Sequence, residues 1–109
     1  MVEQLQAKVS ADDYMEHYAH DFYEWVRGEI IKMSPVLLPH DLISAYLRQL
    51  LSAFFTLRPI GRVVGAPFVM RVDATESRRE PDLQVILNSN PGQLTESAMV
   101  GPADICIEI

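Results

Sequence analysis

Two carboxylates stand inside apolar, β-type runs. Asp82 follows Pro81 and opens Leu83-Gln84-Val85-Ile86, and Glu108 sits near the end of Ile105-Cys106-Ile107-Glu108-Ile109. A charge among Val, Ile and Leu must be hydrated at a strand end, paired, or bound to a cation. A Pro-Asp entering one strand and a Glu leaving another can converge on one metal ion. The plainer readings are a turn-capping aspartate after proline and a solvated terminal glutamate.

The elements that must position them can be read from the hydrophobic pattern. A polar lead-in, residues 1–9, precedes a helix opened by Ser10-Ala11-Asp12-Asp13, a capping-box variant, and ending near Ala19-His20. Phe22 to Val26 reads as a strand, Arg27-Gly28 as a tight turn, and Glu29 to Met33 as the returning strand of a hairpin. From His40 to Phe55, residues Leu42, Ile43, Tyr46, Leu47, Leu50, Leu51, Phe54 and Phe55 recur at helical spacing, which predicts a long helix packed on a sheet. Ser44, Arg48, Gln49 and Ser52 fall on its opposite side. Arg62 to Gly65 and Pro67 to Val72 read as strands, 73–78 as a loop, and the Asp82 run as the next strand. The connection 88–102 is long for a small domain and is expected to be a functional flap or an insertion. The last strand, from Ala103, stops in mid-pattern at Ile109, so the C-terminal part of the domain is expected to be missing.

The 109 residues suffice for one domain, expected over residues 10–109, with an α/β (α+β, mixed-sheet) architecture of about five or six strands. Apolar residues are 49% and charged ones 22%, a globular mixture. The single cysteine, Cys106, excludes an internal disulfide or a Cys-based zinc site. No signal-peptide core and no run of about 20 apolar residues is present, which suggests a cytoplasmic protein without a membrane partner. The net charge of −6 argues against a simple basic nucleic-acid binder, although it does not exclude a nuclease, whose clustered carboxylates hold cations.

Four motifs in order resemble the Uma2 family of restriction endonuclease-like, PD-(D/E)xK proteins. They are Tyr23 to Pro35 with its Arg27-Gly28-Glu29 turn, His40 opening an apolar helix, Arg79-Glu80-Pro81-Asp82-Leu83-Gln84-Val85-Ile86, and Ile105-Cys106-Ile107-Glu108-Ile109. The resemblance implies a metal-dependent endonuclease acting on DNA, with Asp82 and Glu108 as ligands of Mg²⁺, a cation suited to oxygen donors and open water positions. It implies that Glu29 adds an outer carboxylate to the catalytic set, and it matches His40 to a recurrent histidine of unassigned role. The family's pattern continues beyond the glutamate strand into a helix bearing a lysine, which this sequence does not contain, so weak catalysis or none is expected from the chain as it stands. A non-catalytic binding module of the same fold, or a homo-oligomer formed through a sheet edge or the long helix, is the alternative from a different functional class.

Overall fold

The structure, a computed structural model, describes residues 8–109, so the lead-in expected over residues 1–9 falls almost wholly outside the described residues. Helix α1 is Ala11–His17; Ser10 caps it by accepting a hydrogen bond from the Asp13 N–H at 3.0 Å, as the capping motif predicts. One face carries Tyr14, fully buried against Trp25, Val69 and Ala98. The Trp25 indole N–H donates to the Val9 carbonyl at 2.7 Å, closing the core from the N-terminal side.

Strands β1 (Tyr23–Val26) and β2 (Glu29–Lys32) form the expected hairpin. Its turn residues Arg27 and Gly28 have φ of 48° and 90°. A Cβ on Gly28 would also meet the Lys8 side chain at 2.8 Å. Gly28→Ala is therefore expected to destabilise the protein by about 1–2 kcal/mol, read as a lowered urea midpoint with an unchanged slope.

Helix α2 spans Leu38–Leu57, two residues beyond the expected range at each end, with Pro39 in its first turn, where a missing N–H costs nothing. It lies against β3 (Gly61–Gly65), yet none of its residues is fully buried. The partly covered side runs through His40, Ser44, Leu47, Leu51 and Phe55, while Leu42, Ile43, Tyr46, Leu50 and Phe54 of the predicted stripe are exposed. Helical periodicity reports that an apolar face exists, and it does not report what covers that face.

The strand count exceeds the sequence expectation. The described residues form nine strands in two sheets, one of order β2, β1, β5 (Ser77–Arg79), β4 (Val69–Val72), β8 (Ala98–Val100), β7 (Gln93–Leu94) and one of order β3, β6 (Leu83–Leu87), β9 (Ile105–Ile107). The expected 73–78 loop holds a 3-10 turn (Asp73–Thr75) and then β5 (Ser77–Arg79), which bridges β1 and β4 (Val69–Val72). Arg79 thus ends a different strand from the one Asp82 opens. The buried Arg78 anchors this interior strand, its guanidinium 5.4 Å from the centre of the Trp25 ring and 3.1 Å from the Asp73 carboxylate. The 88–102 connection is likewise no free flap. It contributes β7 (Gln93–Leu94) and β8 (Ala98–Val100), and β8 runs parallel to β4 with Ala98 and Met99 buried. No helix among the described residues is long and apolar enough to cross a membrane.

Candidate metal and phosphodiester site

Pro81 is buried at the crossing from the larger sheet to the smaller, and Asp82 follows it at the entry to β6 (Leu83–Leu87). β6 pairs antiparallel with β9 (Ile105–Ile107), Leu83 opposite Ile107, so the register sets Asp82 and Glu108 opposite each other just beyond the pairing. Residues directly opposite across an antiparallel pair project to the same face. The Asp82 N–H donates to Glu108 Oε1 at 3.3 Å, and the Ile109 N–H donates to Asp82 Oδ2 at 2.7 Å. The structure brings these two side chains to the same end of the β6–β9 pair.

His40, in the first turns of α2, sets its Nε2 3.1 Å from Asp82 Oδ1, with both side chains largely covered. The imidazole gives Asp82 a fixed partner at Oδ1, the oxygen that the Ile109 N–H does not use. Glu108 has its carboxyl pushed above the usual carboxylate range, first by burial and then by the negative charges of Asp82 and Glu24, against the opposing pull of the Asp82 N–H. Among the described residues Glu108 Oε2 accepts no hydrogen bond. The set therefore offers oxygen lone pairs, an imidazole and mutual anionic repulsion, a combination that a divalent cation relieves and hard-oxygen coordination suits.

Glu29 is not brought to this place. It is exposed at the turn end of the hairpin, opposite Val26. The carboxylate the hairpin does send inward is Glu24, paired with Ile31 two positions further from the turn. Glu24 is buried, accepts from the Glu80 N–H at 2.9 Å and from Arg79 at 3.2 Å, and its charge acts on Glu108. Glu24 and Glu29 lie on the same face of the hairpin, so only the distance along the ladder, which composition does not reveal, separates them.

Glu80 was visible in the sequence only as part of the Pro-Asp motif. It is fully buried, accepting from the His20 N–H at 2.6 Å, the Phe22 N–H at 2.8 Å and the Tyr14 hydroxyl at 3.1 Å. His20 and Phe22 both adopt positive φ, 65° and 61°, and the Glu80 carboxylate holds that turn. Phe22 is thereby presented beside Asp82, where both residues line two adjoining cavities. Burial pushes the Glu80 carboxyl up, and burial together with the Glu80 charge pushes the Tyr14 hydroxyl up.

A geometric trio of possible ligands, Asp13, Glu16 and His17, lies on α1 with donor atoms within 4.8 Å of one another. All three are exposed and follow from helical spacing, the arrangement of a solvated face, and none lines the cavities at Asp82.

A family model, Uma2, described as "Putative restriction endonuclease", matches residues 11–109. No curated protein matches the sequence.

Proposed function

The chain belongs to the Uma2 family, and on that premise we propose that Asp82 and Glu108 hold a divalent cation, with Mg²⁺ the physiological ion, and that the site hydrolyses phosphodiester bonds of DNA. The observation that carries this reading is the opposition of Asp82 and Glu108 across the end of β6 and β9, with the Asp82 N–H 3.3 Å from Glu108 Oε1. A cation bound there supplies a Lewis acid for a phosphoryl oxygen and acidifies a water. Asp82 and Glu108 bind it, His40 fixes the orientation of Asp82, and the cavities on either side of Asp82 give room for the phosphate and a water. Glu29 plays no part in this proposal, and Glu24 takes its place as the outer carboxylate. A cytoplasmic location and a single nuclease domain over residues 10–109 belong to the same proposal.

Turnover is expected to be slow. The sequence has two lysines, Lys8 and Lys32, and the one lining a cavity at Asp82 is Lys32, contributed by β2 and not by the segment beside Glu108. Nicking of supercoiled plasmid registers one cut per molecule and suits a slow enzyme. Chelation with EDTA is expected to abolish nicking and added Mg²⁺ or Mn²⁺ to restore it. Cutting that persists in EDTA would rule out the metal-dependent reading.

A second reading, a non-catalytic self-associating module, is favoured by the exposed apolar stripe of α2, where Leu42, Tyr46 and Leu50 are 59%, 65% and 54% exposed. It predicts a dimer by sedimentation that Leu50→Asp dissociates, and no metal-dependent nicking.

A further inference from the structure

Two cavities meet at Asp82, sharing Phe22, Val36 and His40 as common walls. One, of about 260 Å³, runs along α2 to Ser44 and Arg48; the other, of about 370 Å³, runs beneath the hairpin to Lys32 and Ser34 and includes Glu108. A cation thus stands in each cavity, with the carboxylates between them. His40, Ser44 and Arg48 recur every four residues, which puts them on one side of α2 and carries Arg48 about 12 Å along the axis from His40.

Among the described residues three arginines are committed to carboxylates, and Arg48 and Lys32 are the unpaired cations that line the cavities at Asp82. Arg71 and Arg78 are paired with Asp73, and Arg79 is paired with Glu24. Among the described residues Arg48 and Lys32 make no ion pair or side-chain hydrogen bond, although the protein carries a net charge of −6. The Arg48 guanidinium lies on bare backbone: a Cβ on Gly65 would fall 2.6 Å from its terminal nitrogen. A guanidinium packed on Gly65 at a cavity wall with its donors unused suits the bidentate geometry of a phosphate, and an ammonium on a flexible stem serves a second phosphate as a point charge.

We propose that Arg48 and Lys32 bind backbone phosphates of one DNA strand on opposite sides of Asp82, so that the strand crosses the carboxylates from the α2 cavity to the hairpin cavity. The inference rests on the nuclease reading for what lies between the two cations. It goes beyond that reading by assigning a strand path and two phosphate-binding residues. Contacts of this kind carry no base information, so the path binds DNA without sequence preference.

The test is the binding of a fluorescently labelled duplex to the full chain by anisotropy, in EDTA so that nothing is cut, over a range of salt concentrations. Arg48→Gln and Lys32→Gln are each expected to weaken binding roughly three- to tenfold and to lower the log–log salt slope by about one. Arg62→Gln removes the same charge from an exposed β3 residue that lines neither cavity, and is expected to change binding less than about twofold. Gly65→Ala displaces the guanidinium and is expected to weaken binding in the parent but not in the Arg48→Gln background. Equal effects of the three charge removals, or no salt-dependent binding at all, would overturn the path. If Asp82→Asn abolishes nicking while the Arg48 and Lys32 variants bind normally, the path fails and the nuclease reading stands. If DNA binds through Arg48 and Lys32 while Asp82→Asn cuts like the parent, the nuclease reading fails and the path stands.

Discussion

Asp82→Asn is expected to lower Mg²⁺-dependent nicking of supercoiled DNA by about 100-fold or more while leaving the far-ultraviolet circular dichroism unchanged. The substitution keeps the side-chain shape and its carbonyl still accepts from the Ile109 N–H, so the turn into β6 has no reason to rearrange. On the proposed reading the substitution removes an anionic metal ligand at the point where charge develops, and removing one such preorganised interaction typically costs two to three orders of magnitude. His40 is left 3.1 Å from an amide in place of a carboxylate, which weakens its hold without removing a buried partner. Nicking that is equal in the variant would take Asp82 out of the chemistry and favour the non-catalytic reading.

Glu80→Ala is expected to cost about 3 kcal/mol or more of folding stability, a larger loss than Gly28→Ala causes. Three donors converge on this carboxylate, from Tyr14, His20 and Phe22. Its removal leaves two backbone N–H groups without their acceptor and releases a turn that needs two non-glycine residues at positive φ. Tyr14 retains a second acceptor, the Tyr23 carbonyl at 2.6 Å, so the damage concentrates in the turn that carries Phe22. Glu80→Gln keeps an acceptor and a similar volume, and is expected to lose about half as much. Urea unfolding of the parent and both variants ranks them, and equal stability of Glu80→Ala and the parent would remove Glu80 as the organiser of the turn.

The parts of the fold that were legible in the sequence are those specified locally. The hairpin follows from Gly28 and the flanking β-formers, α1 from its Ser10 cap, and α2 from eight apolar residues at helical spacing. β5, β7 and β8 were not legible, because strands of two or three residues are too short to show a period. They exist through long-range pairing, β8 with β4 in parallel and β5 between β1 and β4. The same distinction holds at the site. Asp82 and Glu108 stood out because a charge in an apolar strand is a local anomaly. Glu80 did not, since its three donors lie 58 to 66 residues away. The choice between Glu24 and Glu29 depended on hairpin register, and the relevance of Ser44 and Arg48 depended on which side of α2 faces β3.

Calorimetric titration with Mg²⁺ or Mn²⁺ tests, without reference to DNA, whether Asp82 and Glu108 form one cation site. The parent is expected to bind one ion, Asp82→Asn and Glu108→Gln each to bind at least about tenfold more weakly, and Asp13→Asn, in the exposed trio on α1, to bind as the parent does. Unchanged affinity in Asp82→Asn and Glu108→Gln, with loss in Asp13→Asn, would place the ion on α1 and contradict the account.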